Sequence, residues 1–320
     1  MDTTQAPLDR MAERNGGTNE RWPALPWEAW NDTCETLHMW TQIVGKVALA
    51  LAPFLNEWWQ VAFRLTARGL TTGPLPFRDG IFEMEFDFVD HQLVVRTSDG
   101  RRTALALKPR SVADFYLRLM HALGALGIEF HIRPLPVEVP GAIPFDADQV
   151  HAAYDPAYAH RWWLILTQIE GVLQQYRSSF VGKSSPVQFF WGSFDLNETR
   201  FSGRPATPPQ GAPRFQQLAE DQENMACGFW PGNPSASGVT LGQPAFYAYI
   251  YPEPPDFNKA SVRPGGAHYD ERLGEFILLY EDVRRTGEPA RTLREFFESA
   301  YDAAATLAHW DRGLLERRLP

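Results

Sequence analysis

Cysteine is almost missing from this chain: Cys34 and Cys227 are the only two in 320 residues. Two distant thiols make no disulfide framework, and their scarcity favours a reducing, cytoplasmic setting. Basic charge is also short, with 30 Lys and Arg against 39 Asp and Glu and a net charge of −9. The densest basic stretches, 101–110 and 312–320, are local patches. A duplex-binding surface needs a denser cationic footprint, so no nucleic-acid partner is expected. No long hydrophobic run occurs either. The longest, "IVGKVALALAPFL" at 43–55, is interrupted by Lys46 and Pro53 and is too short to span a bilayer. The polar N-terminus carries no apolar signal core, and no membrane partner is expected. The oligomeric state stays open.

The common catalytic signatures are missing as well. "GKSSP" and "WGSFD" both fail the nucleophile-elbow pattern, and there is no phosphate-binding loop or dinucleotide-binding glycine motif. His91, His121, His131, His151, His160, His268 and His309 lack the short spacings with a nearby carboxylate that make a metal site. The closest approach is "HAAYDPAYAH" at 151–160, with eight residues between its histidines. Neither a metal nor a cofactor is indicated, and whether the protein is an enzyme stays open.

Aromatic residues are abundant: 11 Trp, 21 Phe and 10 Tyr. Most must be core, because aromatics bury the most area per side chain, yet the number leaves enough to line a cleft. Along the chain, residues 1–21 read as a disordered tail. The stretch 26–51 reads as a helix capped at Asp32 or Thr33 and stopped by Pro53. Short alternating runs follow, from "WWQVAFRLTA" to "RRTALALKP", with Asp99-Gly100 as a hairpin turn and Asp90-His91 as a second turn. Ser111 caps a second helix, closed by Gly127, and "EFHIRP" reads as one more strand.

From about residue 154 the pattern starts again. Asp155-Pro156 opens a long helix in which "TQIEG" at 167–171 echoes "TQIVG" at 41–45. Strands and a final amphipathic helix follow. The expected fold is α+β: antiparallel β-sheets flanked by helices, in two similar helix–strands–helix halves at 22–150 and 151–320. The second half carries a long insertion, 203–244, rich in Pro and Gly. A segment of that length reads as an ordered lid, with "GFWPG" at 228–232 docked.

Together, "LPWEAWNDTCETLHMWTQIVGKVALALAP", "WWQVAFRLTARGLTTGPLPF", "FEMEFDFVDHQLVVRTSDG", "SVADFYLRLM", "GSFDLNETRFSGR", "FWPG" and "FYAYIYPEP" resemble a bacterial family known only as domain of unknown function 5996. The resemblance runs from about Trp22 to Trp310. It implies a bacterial, stand-alone protein of this length, and no activity or catalytic residue comes with it.

Three groups could carry chemistry. His38, Gln42 and Lys46 form one stripe of the first helix. There His38 could act as an acid or base, or His38 and Gln42 could tie the helix to a sheet while Lys46 is solvated. Glu83, Glu85 and Asp87 share one face of a strand, where a solvated stripe paired with Arg64, Arg96 or Arg102 is the plainer reading. In "GSFDLNETRFSG", Asp195, Glu198 and Arg200 follow Trp191, and alternation aligns Tyr247, Tyr249 and Tyr251 ahead of Glu253. Carboxylates and an Arg among aromatics suit a cleft for a polar ring-bearing ligand; they equally suit a buried ion pair. The expected ligand-binding residues are His38, Trp191, Asp195, Arg200, Tyr251 and Glu253. The expected function is binding of a small organic ligand in an aromatic-lined cleft under 203–244. The alternatives are a hydrolase or isomerase using carboxylate or His acid–base groups, and a structural or protein-interaction module docking through "FWPG".

Overall fold

The computed structural model describes residues 21–212, 214–233, 239 and 241–317; the expected tail at 1–21 lies almost wholly outside them. Helix α1 (Trp27–Leu51) starts just after Pro26, more than a turn before Asp32 and Thr33. The local capping signal loses because Trp30 is buried against Trp162, with ring centroids 6.0 Å apart, which favours continuing the helix N-terminal to the signal. The Thr33 hydroxyl is used elsewhere, accepting the backbone N–H of Asp155 at 2.9 Å. Trp40, also buried, stacks between Phe115 at 4.7 Å and Tyr154 at 5.5 Å. Lys46 is buried rather than solvated.

After α1 the expected strand "WWQVAFRLTA" forms only at its later part, as β1 (Arg64–Leu65). Glu57 and Trp58 adopt left-handed backbone at φ 50° and 62°, and the chain turns. The first sheet comprises β1 (Arg64–Leu65), β2 (Gly69–Thr71), β3 (Leu75–Phe77), β4 (Gly80–Asp87), β5 (Gln92–Thr97) and β6 (Arg102–Ala106). Its order is β1-β2-β4-β5-β6, with β3 also on β4, and all its pairs are antiparallel. The hairpin at Asp99-Gly100 closes as expected, with Gly100 at φ 87°. Helix α2 (Val112–Ala125) is capped by Ser111, whose hydroxyl accepts the Asp114 N–H at 3.2 Å. "EFHIRP" is irregular rather than a strand, for Pro134, Pro136 and Pro140 follow closely and cannot donate to a ladder.

Helix α3 (Pro156–Ser178) opens on Asp155, whose carboxylate accepts the N–H groups of Ala157 and Tyr158. The second sheet holds β7 (Gln188–Phe190), β8 (Asp195–Pro205), β9 (Gln222–Trp230), β10 (Ala245–Tyr251), β11 (His268–Asp270) and β12 (Glu275–Leu279). Its order, β11-β12-β10-β9-β8-β7, is antiparallel throughout. The expected insertion therefore contains a central strand, β9, and a short helix, α4 (Arg214–Ala219). "FWPG" is part of this scaffold: Phe229 and Trp230 end β9, and the Pro231 carbonyl accepts Trp30 Nε1–H at 3.3 Å. Two of the remaining helices are α5 (Tyr280–Arg284) and α6 (Pro289–Leu307), the latter packing with α3 on one face of the second sheet; α7 (Arg312–Leu315) follows.

The sheets meet edge to edge where Phe63 and Phe189 exchange backbone N–H···O bonds of 2.9 Å. The main apolar core is continuous across residue 150. The mixed α+β class is thus as expected. At the "TQI" echo the two halves differ. A Cβ on Gly45 would fall 2.2 Å from the Trp191 ring, whereas Gly171 faces open space. Gln42 spans to distant backbone, while Gln168 reaches only Thr167. Among the described residues no helix is long and apolar enough to cross a membrane.

Candidate functional site

Strand alternation builds the site. Along β8, Asp195, Asn197, Thr199 and Phe201 point to one face, and Leu196, Glu198 and Arg200 to the other. Register carries the first face across the sheet. Gln188 and Phe190 of β7 lie opposite Asn197 and Asp195, and Asn224 lies opposite Phe201 on β9, the strand that ends in Trp230. Tyr247, Tyr249 and Tyr251 follow on β10, and Glu275 on β12. The opposite face is covered by α3 and α6. The first face is only partly covered, and a cleft of about 790 Å³ remains over it.

Other segments wall the cleft. Trp58 and Trp59 come from the turn after α1, and Val137 and Glu138 from the irregular stretch after α2. Phe215, Gln216, Ala219 and Glu220 come from α4 and the residue after it. Trp58 Nε1–H donates to the Phe215 carbonyl at 2.8 Å, joining the wall from α4 to the one from the first half. Gly228 leaves room for Tyr247, since a Cβ there would fall 2.4 Å from its Cζ. Tyr247 then packs on Trp230 at a tilt, with ring centroids 4.7 Å apart, and stacks on Tyr249 at 6.2 Å.

The floor is acidic. Asp195, 2% exposed, accepts from Ser193 Oγ–H, from Tyr247 O–H and from Asn197 Nδ2–H at 2.9 Å. Burial pushes its carboxyl up, and these three donors oppose the rise. Burial and the Asp195 charge raise Glu138 to about 7. Burial, Asp195 and Asp270 raise Glu275 to about 8. Glu220 is raised by burial too, with Asn224 Nδ2–H donating to it at 2.9 Å. Among the described residues none of these four carboxylates has a Lys, Arg or His nitrogen within 4 Å, and no Lys, Arg or His lines the cleft. Glu57, at one end, is the exception: Lys183 Nζ meets it at 2.5 Å while lying 4.4 Å from the Phe201 ring centre.

Of the six expected site residues, four line the cleft: Trp191, Asp195, Tyr251 and Glu253. Trp191 lies on Gly45 and donates Nε1–H to Val61 O at 3.0 Å. Tyr251 O–H donates to Thr207 O, and Glu253 accepts from Tyr269 O–H, each at 2.5 Å. His38 sits behind the wall. Its Nε2–H donates to the Gly192 carbonyl at 2.8 Å, and burial drives its pKa down to about 4, so near neutral pH it is an uncharged tether. Gln42 braces the same place through the Val137 and Gly192 carbonyls at 2.7 and 3.2 Å. Arg200 is on the wrong face for the cleft. It is 2% exposed, lies 3.4 Å from the Tyr176 ring centre and 4.4 Å from that of Tyr301, and faces Glu198 at 3.8 Å.

Reading Asp195, Glu198 and Arg200 as one cluster ignored the two-residue period of the strand; that period alone separates them. Glu275 and Glu138 were missed for a related reason. Glu275 opens "GEFILLYED", a continuous apolar strand run with no alternation to assign it a face. Glu138 stands in "PLPVEVPG", where no periodicity marks it.

The Glu83, Glu85 and Asp87 stripe is paired with arginines, but Glu85 and Asp87 are buried rather than solvated, and the partner of Asp87 is Arg68 instead of Arg64, Arg96 or Arg102. Arg96 meets Glu83 and Glu85 at 3.4 and 2.8 Å, and Arg68 meets Asp87 at 2.6 Å. No group of three or more metal-ligating side chains occurs among the described residues. In comparisons with known proteins, no curated protein and no solved structure matches. The sequence profile described as "Family of unknown function (DUF5996)" matches residues 22–317, nearly the whole chain. The protein belongs to the DUF5996 family of unknown function.

Proposed function

We propose that the protein binds a small organic molecule in the aromatic-lined cleft over the second sheet, walled on one side by α4 of the 203–244 segment. The observation that carries this reading is the cleft itself: about 790 Å³, walled by aromatic side chains from both halves and floored by Asp195. A concavity of that size with a few convergent polar groups is the usual form of a small-molecule site. The two buried free thiols fit work in a reducing, cytoplasmic compartment. A thermal-shift screen over amines, sugars, nucleosides and carboxylic acids tests the reading. A binder should raise the melting temperature and quench tryptophan emission, and both effects should be lost in Tyr249→Ala. A screen with no hit, or hits indifferent to Tyr249→Ala, would sink it.

A second reading, acid–base catalysis in the same cleft, is favoured by one observation. Glu138 and Glu275 are pushed up to about 7 and 8, the range in which a carboxyl can donate and accept protons near neutrality. Conversion of a cleft ligand by the protein, abolished in Glu138→Gln or Glu275→Gln even at saturating ligand, would establish it. Unchanged ligand after prolonged incubation would rule it out. His38 has no part in either reading.

A further inference from the structure

We infer that the ligand of this cleft is a protonated amine, a primary or secondary ammonium ion on a small organic body. This rests on the cleft being a ligand site, and it follows from a mismatch in what its walls offer. Carboxylates at Glu138, Asp195, Glu220 and Glu275 face one space, and among the described residues no cation is within 4 Å of any of them. Burying like charges together is costly unless something neutralises them.

A second, independent observation points the same way. Asn197 is 7% exposed, and strand alternation turns it toward the cleft beside Asp195. Its Nδ2–H₂ is committed to Asp195, which leaves Oδ1 as an acceptor with no donor. Glu275 Oε2 is likewise without a partner. Buried acceptors left empty are costly, and what they lack is N–H or O–H. An ammonium ion supplies N–H donors and positive charge at once. A carboxylate or phosphate ligand would supply neither and would meet the acidic floor. The aromatic walls suit a cation as well, since ring faces attract it. The same chemistry already operates at one end of the cleft, where Lys183 joins Glu57 and lies over Phe201.

The acceptors also choose among cations. A quaternary ammonium has no N–H to give Asn197 Oδ1 or Glu275 Oε2, so it would leave both unmet. Amine binding should moreover release protons. Glu138 and Glu275 are partly protonated near neutrality in the empty cleft, and the arriving charge favours their ionised forms. The groups acting on them are Asp195 of β8 on both, and Asp270 of β11 on Glu275, with Tyr247 and Tyr249 of β10 alongside. Asp270 is itself held by Arg272 at 2.6 Å, so Asp195 is the uncompensated neighbour.

The experiment is calorimetric titration of the full chain with phenethylamine and putrescine. Each is set against its neutral isostere, 2-phenylethanol or butane-1,4-diol, and against phenethyltrimethylammonium. At least one amine should bind about tenfold or more tightly than its alcohol, as a charge-assisted hydrogen bond implies. It should also outbind the quaternary ion and release protons in buffers of different ionisation enthalpy. The isosteric Glu275→Gln and Glu138→Gln variants should remove most of that preference for the amine over its alcohol. If the alcohols bind as tightly as the amines, charge recognition is refuted and the cleft reading survives. If none of the five binds at millimolar concentration, the amine inference is refuted, and the thermal-shift screen decides the cleft reading on its own. If the quaternary ion wins, donation to Asn197 and Glu275 is refuted.

Discussion

Two groups of carboxylates in this protein, one along a strand face and one gathered around a cleft, are treated in opposite ways. On β4, every acid has a basic partner: Glu83 and Glu85 share Arg96, and Asp87 holds Arg68. In the cleft of the second sheet, Glu138, Asp195, Glu220 and Glu275 have none among the described residues. The first group pairs within its own sheet, because Arg96 of β5 lies directly opposite Glu83. The second is assembled from segments far apart in sequence, and the residue opposite Glu275 is another acid, Asp270. Like charges facing across strands are destabilising, so the second arrangement carries an electrostatic cost that the first does not. Sites that bind or react commonly hold such strain.

The difference can be tested from its strongest consequence downward. Behind the cleft, on the opposite face of β8, Glu198 does have a cation, and Arg200→Ala would strip it away. Arg200 and Glu198 are both buried, and breaking a buried pair leaves an uncompensated charge. A loss of about 3–5 kcal/mol is expected in denaturant unfolding. A loss below about 1 kcal/mol would mean that cation pairing matters little anywhere in this sheet.

Glu275→Gln should have the opposite sign. Its folded-state pKa of about 8 lies above the ordinary glutamate value, so the fold binds a proton that the unfolded chain has released. Stability contributed by the protonated form is therefore full at acid pH and lost as pH rises toward and through 8. Glu275→Gln should flatten that decline and stabilise the protein by about 2 kcal/mol at pH 9. Melting curves across pH 5 to 9 would show it, and a destabilising Glu275→Gln at high pH would break the contrast.

Asp87→Asn should destabilise by about 1–2 kcal/mol. Burial works against the charge of Asp87, but the bonds from Arg68 and from the N–H groups of Val89 and Asp90 hold its carboxyl below the usual range. Its contribution is present above about pH 4 and fades as pH falls through the folded-state value. The same melting curves should therefore slope in opposite directions at their two ends, and Asp87→Asn should flatten only the acid limb. Least of all, Glu83→Gln should change stability by under about 0.5 kcal/mol, because its ion pair with Arg96 is exposed on both sides. A larger effect would make the outer end of the stripe more than a solvated pair.

Much of the frame was legible in advance. Ser111, Asp155-Pro156 and Asp99-Gly100 each act through their own backbone within a few residues, and each sits where its chemistry predicts. The alignment of Tyr247, Tyr249 and Tyr251 was equally readable, because a strand's two-residue period is local. The errors came where burial outweighed a local signal. Trp30 extended α1 past its apparent cap, and the Pro- and Gly-rich 203–244 segment hid β9 inside an apparent loop.

By itself, then, the sequence determined the α+β class, most helix and hairpin signals, and an aromatic surplus large enough to line a cleft. Only the tertiary structure decided which charges would meet. It put Arg200 behind the sheet and His38 behind the wall, and it brought Glu138 and Glu275 to Asp195. Backbone conformation follows from neighbours a few residues away, whereas a carboxylate's partner, or its lack of one, depends on what the fold carries to it from far along the chain.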